Sequence, residues 1–102
     1  MKIDTDKVRR EQLRWIMLLG LGHGRPYGLY EEVLVATAQA IYPDTTALEI
    51  RRTLDYLEGR SLVRLRKEPS GRWLSDLTSH GTDIVEYTID CEPGIARPVK
   101  YW

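Results

Sequence analysis

Arg60, Arg64, Arg66, Lys67 and Arg72 fall within a stretch of thirteen residues that holds a single acid, Glu68. Guanidinium and ammonium groups gathered this densely suit a phosphate backbone, because each combines a fixed positive charge with several N–H donors. The chain as a whole balances 15 basic against 15 acidic residues. The local excess of about +4 is therefore a property of this segment and not of the composition. An edge strand guarded by charge against aggregation is the competing explanation. Phosphate contact is favoured, since an edge guard works as well with glutamate or with mixed signs.

A second group precedes the basic segment. Thr45, Thr46, Arg52, Thr53 and Tyr56 lie in or just before a helical stretch whose apolar residues are Ala47, Ile50, Leu54 and Leu57, at spacings of 3, 4 and 3. With that stripe turned inward, Thr46, Glu49, Arg52, Thr53 and Tyr56 face outward. Arg52 suits paired hydrogen bonds to guanine or an ion pair with Glu49 three residues away, and Thr53 suits a base or a phosphate. Thr45 and Thr46 sit where helix-start hydroxyls can donate to phosphate. Glu49 and Asp55 weigh against this face, because carboxylates repel phosphates.

Catalytic chemistry has little to draw on. His23, His80 and Cys91 are dispersed, with no partner at ligand or nucleophile spacing. Asp83, Glu86 and Asp90 recur at helical spacing and read as a solvated helix face more than as a metal site. Gly20, Gly22 and Gly24 lack the preceding strand and the following Lys-Ser/Thr of a phosphate loop, so they read as a flexible connector. No enzyme activity, metal or cofactor is expected.

Regular elements must position these residues. Asp6 caps a first helix to about Leu19, with Val8, Leu13, Trp15, Ile16 and Leu19 on a broad apolar surface and the glycines as its stop. A second helix spans about Glu31 to Ile41, with Leu34, Ala38 and Ile41 inward and Glu31 and Glu32 at its positive end. Tyr42-Pro43-Asp44 breaks it. Asp44, Thr45 or Thr46 then caps the third helix, which closes at a left-handed Gly59. Leu62-Val63-Arg64-Leu65-Arg66 alternates as a strand does, Glu68-Pro69-Ser70-Gly71 is a turn, and the segment from Arg72 to Leu77 returns, with Trp73 packed under the hairpin. Thr78 caps a fourth helix to about Tyr87 or Ile89, with Ile84, Val85 and Ile89 inward. The expected fold is mainly α with a small β-hairpin (α+β). It has about four helices, a two-stranded wing and an extended C-terminal tail, with one domain over 1–92 and the tail over 93–102.

The totals are those of an ordinary globular domain, 42% hydrophobic and 29% charged over 102 residues. No apolar run approaches the roughly 18 residues of a membrane span, and the charged segment from Met1 to Arg14 precedes no signal-peptide core. A lone Cys91 forms no internal disulfide, which fits a reducing cytoplasm. Zero net charge argues against strong non-specific nucleic-acid binding but leaves room for a local site. Charge is uneven along the chain, with the acidic run from Asp76 to Glu92 summing to −5.

Leu57-Glu58-Gly59-Arg60-Ser61-Leu62-Val63 resembles the end of a recognition helix running into the first wing strand of winged-helix transcription regulators. Leu77-Thr78-Ser79-His80-Gly81, followed by Ile84, Val85 and Glu86, looks like the Leu-Thr-x-x-Gly segment that starts their post-wing helix. Ser61 departs from the pattern, since the family often has glycine there. The whole chain, including Pro93-Gly94-Ile95-Ala96-Arg97-Pro98 and Lys100-Tyr101-Trp102, is also similar to small winged-helix proteins of Mu-like phages and prophages. The resemblance implies a winged helix-turn-helix fold and a bacterial host cytoplasm.

In that fold the third helix enters the major groove and the wing touches backbone or minor groove. The expected partner is double-stranded DNA, bound by a transcriptional regulator or DNA-handling accessory. The arginines of the hairpin and the docking helix then form one cationic clamp. A homodimer would double the few phosphate contacts of one helix and one wing. Tyr101 and Trp102 either fold back over the domain or dock on a protein partner through the tail. The rival reading is a protein-interaction module that has lost DNA binding.

Overall fold

In a computed structural model of the protein, residues 2–100 are described. Four helices and three short strands follow in the order α1 (Thr5–His23), β1 (Leu29–Tyr30), α2 (Glu31–Gln39), α3 (Ala47–Gly59), β2 (Val63–Lys67), β3 (Trp73–Leu77) and α4 (Ser79–Val85). The strands form one antiparallel sheet in the order β1-β3-β2. Val63 stands opposite Leu77, and Lys67 opposite Trp73. Leu29 and Tyr30 add the third strand by pairing with Ser75 and Leu74, where a two-stranded hairpin was expected. The arrangement is mixed α+β and winged-helix-like.

Helix α1 is capped by Asp4, whose side chain accepts from the Lys7 N–H at 3.0 Å. It runs on through Gly20 and Gly22, its expected stop. The reason is packing. A β-carbon on Gly20 would lie 3.5 Å from Leu34, and one on Gly22 would lie 3.1 Å from Val85. Gly22 thus lets α4 approach the central helix closely, while Gly20 meets α2 at ordinary contact distance. The apolar face shifts accordingly, with Leu13, Met17, Leu18 and Leu21 fully buried while Val8 and Leu19 are exposed. Ile41 falls beyond the end of α2 and is 58% exposed instead of inward. Ala47 is exposed too, at the first turn of α3. The rest of the α3 stripe, Ile50, Leu54 and Leu57, closes on α1 and α2 as its spacing requires. Ile84 is buried, but α4 ends at Val85, so Ile89 lies outside it and is partly exposed.

Residues 94–97 are tied to α1 and α4. Ile95 enters the core, and the Ala96 N–H donates to the Glu11 carbonyl at 3.1 Å. Arg97 donates to the carbonyls of Ile84 and Ile89. Tyr101 and Trp102, the expected anchors of the tail, lie outside the described residues.

The corner between α3 and β2 departs from the sequence reading at Gly59, which stays helical. Ser61 instead takes the left-handed conformation, φ 61°. A β-carbon is strained there, whereas glycine is not. Ser61→Gly is therefore expected to stabilise the fold by about 0.5 kcal/mol after the added freedom of the unfolded chain is set against the relieved strain. That corresponds to a rise in Tm of roughly 3 °C in thermal denaturation. An unchanged or lower Tm would mean that the Ser61 side chain compensates its backbone.

Candidate nucleic-acid interface

Helix α3 starts where Thr46 accepts from the Glu49 N–H at 3.2 Å through its side-chain oxygen. Thr46 remains exposed at this helix start. Thr45 does not, being only 3% exposed, with its hydroxyl donating to the Tyr42 carbonyl at 2.6 Å. Thr53 is likewise 8% exposed and donates to the Glu49 carbonyl one turn back. The 3-4-3 stripe is narrower than the true inner face, so Thr53 falls inside it. The two hydroxyls expected to reach a ligand are thus spent on backbone oxygens. Tyr56 is half-buried, with the Arg14 guanidinium 3.5 Å from its ring centroid and that of Arg60 at 4.9 Å.

Arg52 is exposed on α3 and makes no ion pair with any described residue. Glu49, its nearest candidate partner, is held by Arg9 of α1. Arg9 Nε donates to Oε2 at 2.9 Å and Nη2 to Oε1 at 2.8 Å. Hydrogen bonds donated to Glu49 and then to Asp44 raise the Arg9 pKa above its ordinary value, and the bond to Asp44 lowers that of its carboxyl. Asp55 stands 3.8 Å from Lys67 of β2. The two acids that counted against the outer face of α3 each have a cation beside them.

The wing itself differs from the expected clamp. Arg64 donates to Asp76 on the neighbouring strand at 2.7 Å. Arg72 makes a two-pronged pair with Glu32 at 2.9 and 3.1 Å and lies 3.7 Å from the Tyr30 ring centroid. That pairing holds the Glu32 carboxyl below its ordinary range. Arg60 is paired with Glu92 at 2.7 Å. Of the expected wing cations only Arg66 is exposed without a carboxylate among the described residues. Arg64 and Arg66 also leave the sheet on the side away from Val63, which is buried, so they do not converge on α3. The clamp is corrected to a set of local ion pairs around one free guanidinium.

The turn of the wing is fixed in place by residues that no local pattern connects. Glu31 is 7% exposed at the start of α2. It accepts from Arg51 of α3 through both oxygens, Nε at 2.6 Å, and from the Trp73 N–H at 3.3 Å. Arg51 donates further to the Gly71 carbonyl at the turn, 2.6 Å away, and lies 4.8 Å from the Trp73 ring centroid. Trp73 packs partly buried on the core. Beside α3 on its other flank, Arg10, Arg14 and Arg52 gather around a cleft, with Leu48 exposed at its rim. Local periodicity pointed to none of Arg10, Arg14 or Leu48.

The remaining chemistry-bearing residues stay apart. Among the described residues no three His, Cys, Asp or Glu side chains converge on a metal position. His23 and His80 are exposed. Burial pushes the Cys91 thiol above its ordinary pKa. No helix among the described residues is long and apolar enough to cross a membrane.

A solved structure from Ralstonia eutropha JMP134, described as that of a candidate DNA-binding protein, is similar to this chain. The two superpose with a TM-score of 0.61 at 20% identity, over 87% of this chain and 100% of the other. At that identity the likeness is one of fold. No family model and no curated protein matches the chain.

Proposed function

We propose that the protein binds double-stranded DNA through the exposed side of α3, with Arg52 as its central contact. What carries this reading is the state of that helix face: Arg52 is exposed without a partner among the described residues, while Glu49 and Asp55 each have a cation beside them. The winged-helix-like frame and the candidate DNA-binding protein of the same fold support it. Thr46 stands at the helix start, and Arg10 lies beside α3 as a further free cation, while Arg66 is free on the wing but directed away from α3. The resemblance to Mu-like phage proteins supports the role of a phage or prophage transcriptional regulator, or an accessory in DNA handling, in a bacterial cytoplasm. The protein does this without catalysing a reaction, and a homodimer would double its contacts.

Two free cations on this face, Arg10 and Arg52, set a modest electrostatic contribution. Neutralising about two phosphates per protomer gives a salt slope near −1.8, or roughly a 12-fold loss of affinity between 50 and 200 mM salt. Arg52→Ala is expected to weaken duplex binding about tenfold and to flatten the slope by about 0.9, read by fluorescence anisotropy across a salt series. Arg64→Ala, which removes a residue already paired with Asp76, should change either quantity much less. Equal effects of the two substitutions would return the wing to the interface.

The neutralised wing favours a second reading, a winged-helix module that binds a protein. Ion pairs at Arg64, Lys67 and Arg72 leave little charge for a backbone. A wild-type protein with no duplex affinity at 20 mM salt would select this alternative.

A further inference from the structure

The cleft beside α3 has its own chemistry. It encloses about 340 Å³ between Arg10, Leu13 and Arg14 of α1 and Leu48, Arg52 and Thr53 of α3. That volume is at the small end of the range that holds compact organic ligands, roughly 300 to 1,000 Å³. Three guanidiniums line it against one carboxylate, Glu49, which is already bound by Arg9 through two hydrogen bonds. Arg14 is held by the Gly94 carbonyl at 2.9 Å and by the Tyr56 ring. Arg10 and Arg52 have no partner among the described residues.

The apolar part open to a ligand is one leucine. Leu13 is fully buried, and Leu48 is left 58% exposed on the rim. A bare inorganic anion would satisfy the arginines and leave Leu48 in water. A neutral hydrocarbon would cover Leu48 and leave two desolvated guanidiniums without acceptors. A carboxylate attached to a flat apolar body answers both requirements at once.

We propose that this cleft binds a small organic anion, with its carboxylate between Arg10 and Arg52 and its one- or two-ring body over Leu48. Arg52 is also the residue offered to DNA. An occupied cleft therefore competes with the duplex, a consequence that rests on the DNA-binding reading, whereas the cleft itself does not.

The test uses 2-naphthoate as the probe and 2-naphthamide as its neutral counterpart, titrated into the isotope-labelled full chain and followed by amide chemical shifts. Naphthoate should bind about tenfold more tightly than the amide, because only it accepts charge-assisted hydrogen bonds from the arginines. The shifts should centre on residues 10–14 and 46–53. The double variant Arg10→Gln with Arg52→Gln should lose that tenfold preference while its remaining spectrum stays folded. Equal binding of the two probes, or shifts centred elsewhere, would overturn the proposal. So would cleft signals that broaden with protein concentration alone, which would give the cleft to a second copy of the chain. In a duplex competition, naphthoate should release DNA from the wild type. Binding of naphthoate without any binding of duplex would remove the DNA reading and leave the cleft standing, and the reverse result would remove the cleft.

Discussion

Gly81→Ala is expected to destabilise the protein by about 3 kcal/mol and to lower Tm by roughly 15 °C. Gly81 is buried in the first turn of α4, and a β-carbon there would overlap the Leu62 carbonyl oxygen and come within 3.1 Å of both Leu62 C and Leu77 Cδ2. The oxygen has little freedom to retreat. It accepts from the Thr78 N–H at 3.1 Å, while the Leu62 N–H donates to the Leu57 carbonyl at 3.0 Å. Thr78 adds two more ties, accepting from the Gly81 N–H at 3.1 Å and donating to the Ser61 carbonyl at 2.6 Å. The segment from Leu77 to Gly81 thus fastens the post-wing helix directly to the corner where α3 meets the wing. Because the strain falls on backbone, neighbouring side chains cannot absorb it by changing rotamer. Gly59→Ala is the control: nothing lies within 4 Å of the added carbon, and the residue is helical. Thermal denaturation of the two variants distinguishes a packing requirement from a general intolerance of alanine. Similar melting would show that the corner yields.

The same corner explains why parts of this protein were legible in its sequence. Thr78 and Gly81 act over three residues, and the Ile50, Leu54 and Leu57 stripe over two helical turns, so local pattern suffices to find them. The cationic wing was visible as composition, but its neutralisation was not. Arg72 finds Glu32 at a separation of 40 residues, and Arg51 finds Glu31 at 20. Charge counted along the chain cannot register such pairs. Glu31 and Glu32 suit a helix start, a role that conceals their use by the wing. Gly20 and Gly22 read as helix breakers because flexibility is a local property, whereas the close approach of α4 to Gly22 is not. Strand β1 has two residues and no periodicity to detect. The candidate site suffered most at Thr45 and Thr53, where a hydroxyl on a helix leaves no sequence trace of whether it faces a ligand or its own backbone.

Those long-range pairs set the position of the wing, and Arg51→Met tests how much depends on them. Arg51 joins three elements: it grips Glu31 at the start of α2, belongs to α3, and holds the Gly71 carbonyl at the wing turn. Methionine keeps much of the apolar stem over Trp73 and removes the charge. Glu31 would then be a buried carboxylate retaining only the Trp73 N–H among its present partners, and losing one member of such a pair costs more than the pair contributes. A fall in Tm of roughly 5–10 °C at pH 7 is expected. The pH dependence identifies the cause. In the wild type the Arg51 hydrogen bonds hold the Glu31 carboxyl below its ordinary pKa. Its contribution is complete above the unfolded value near 4.3 and is lost as pH falls through the lower folded value. In the variant, burial without the guanidinium raises the folded pKa, so protonation relieves the misfit and acid becomes comparatively favourable. The gap in Tm between wild type and variant should therefore be widest near neutrality and shrink below about pH 4. A gap independent of pH would assign the loss to packing around Trp73 and not to the buried charge. If the wing depends on this contact for its place beside α3, the variant should also weaken duplex binding at temperatures where it is still folded, although Arg51 is not offered as a DNA contact.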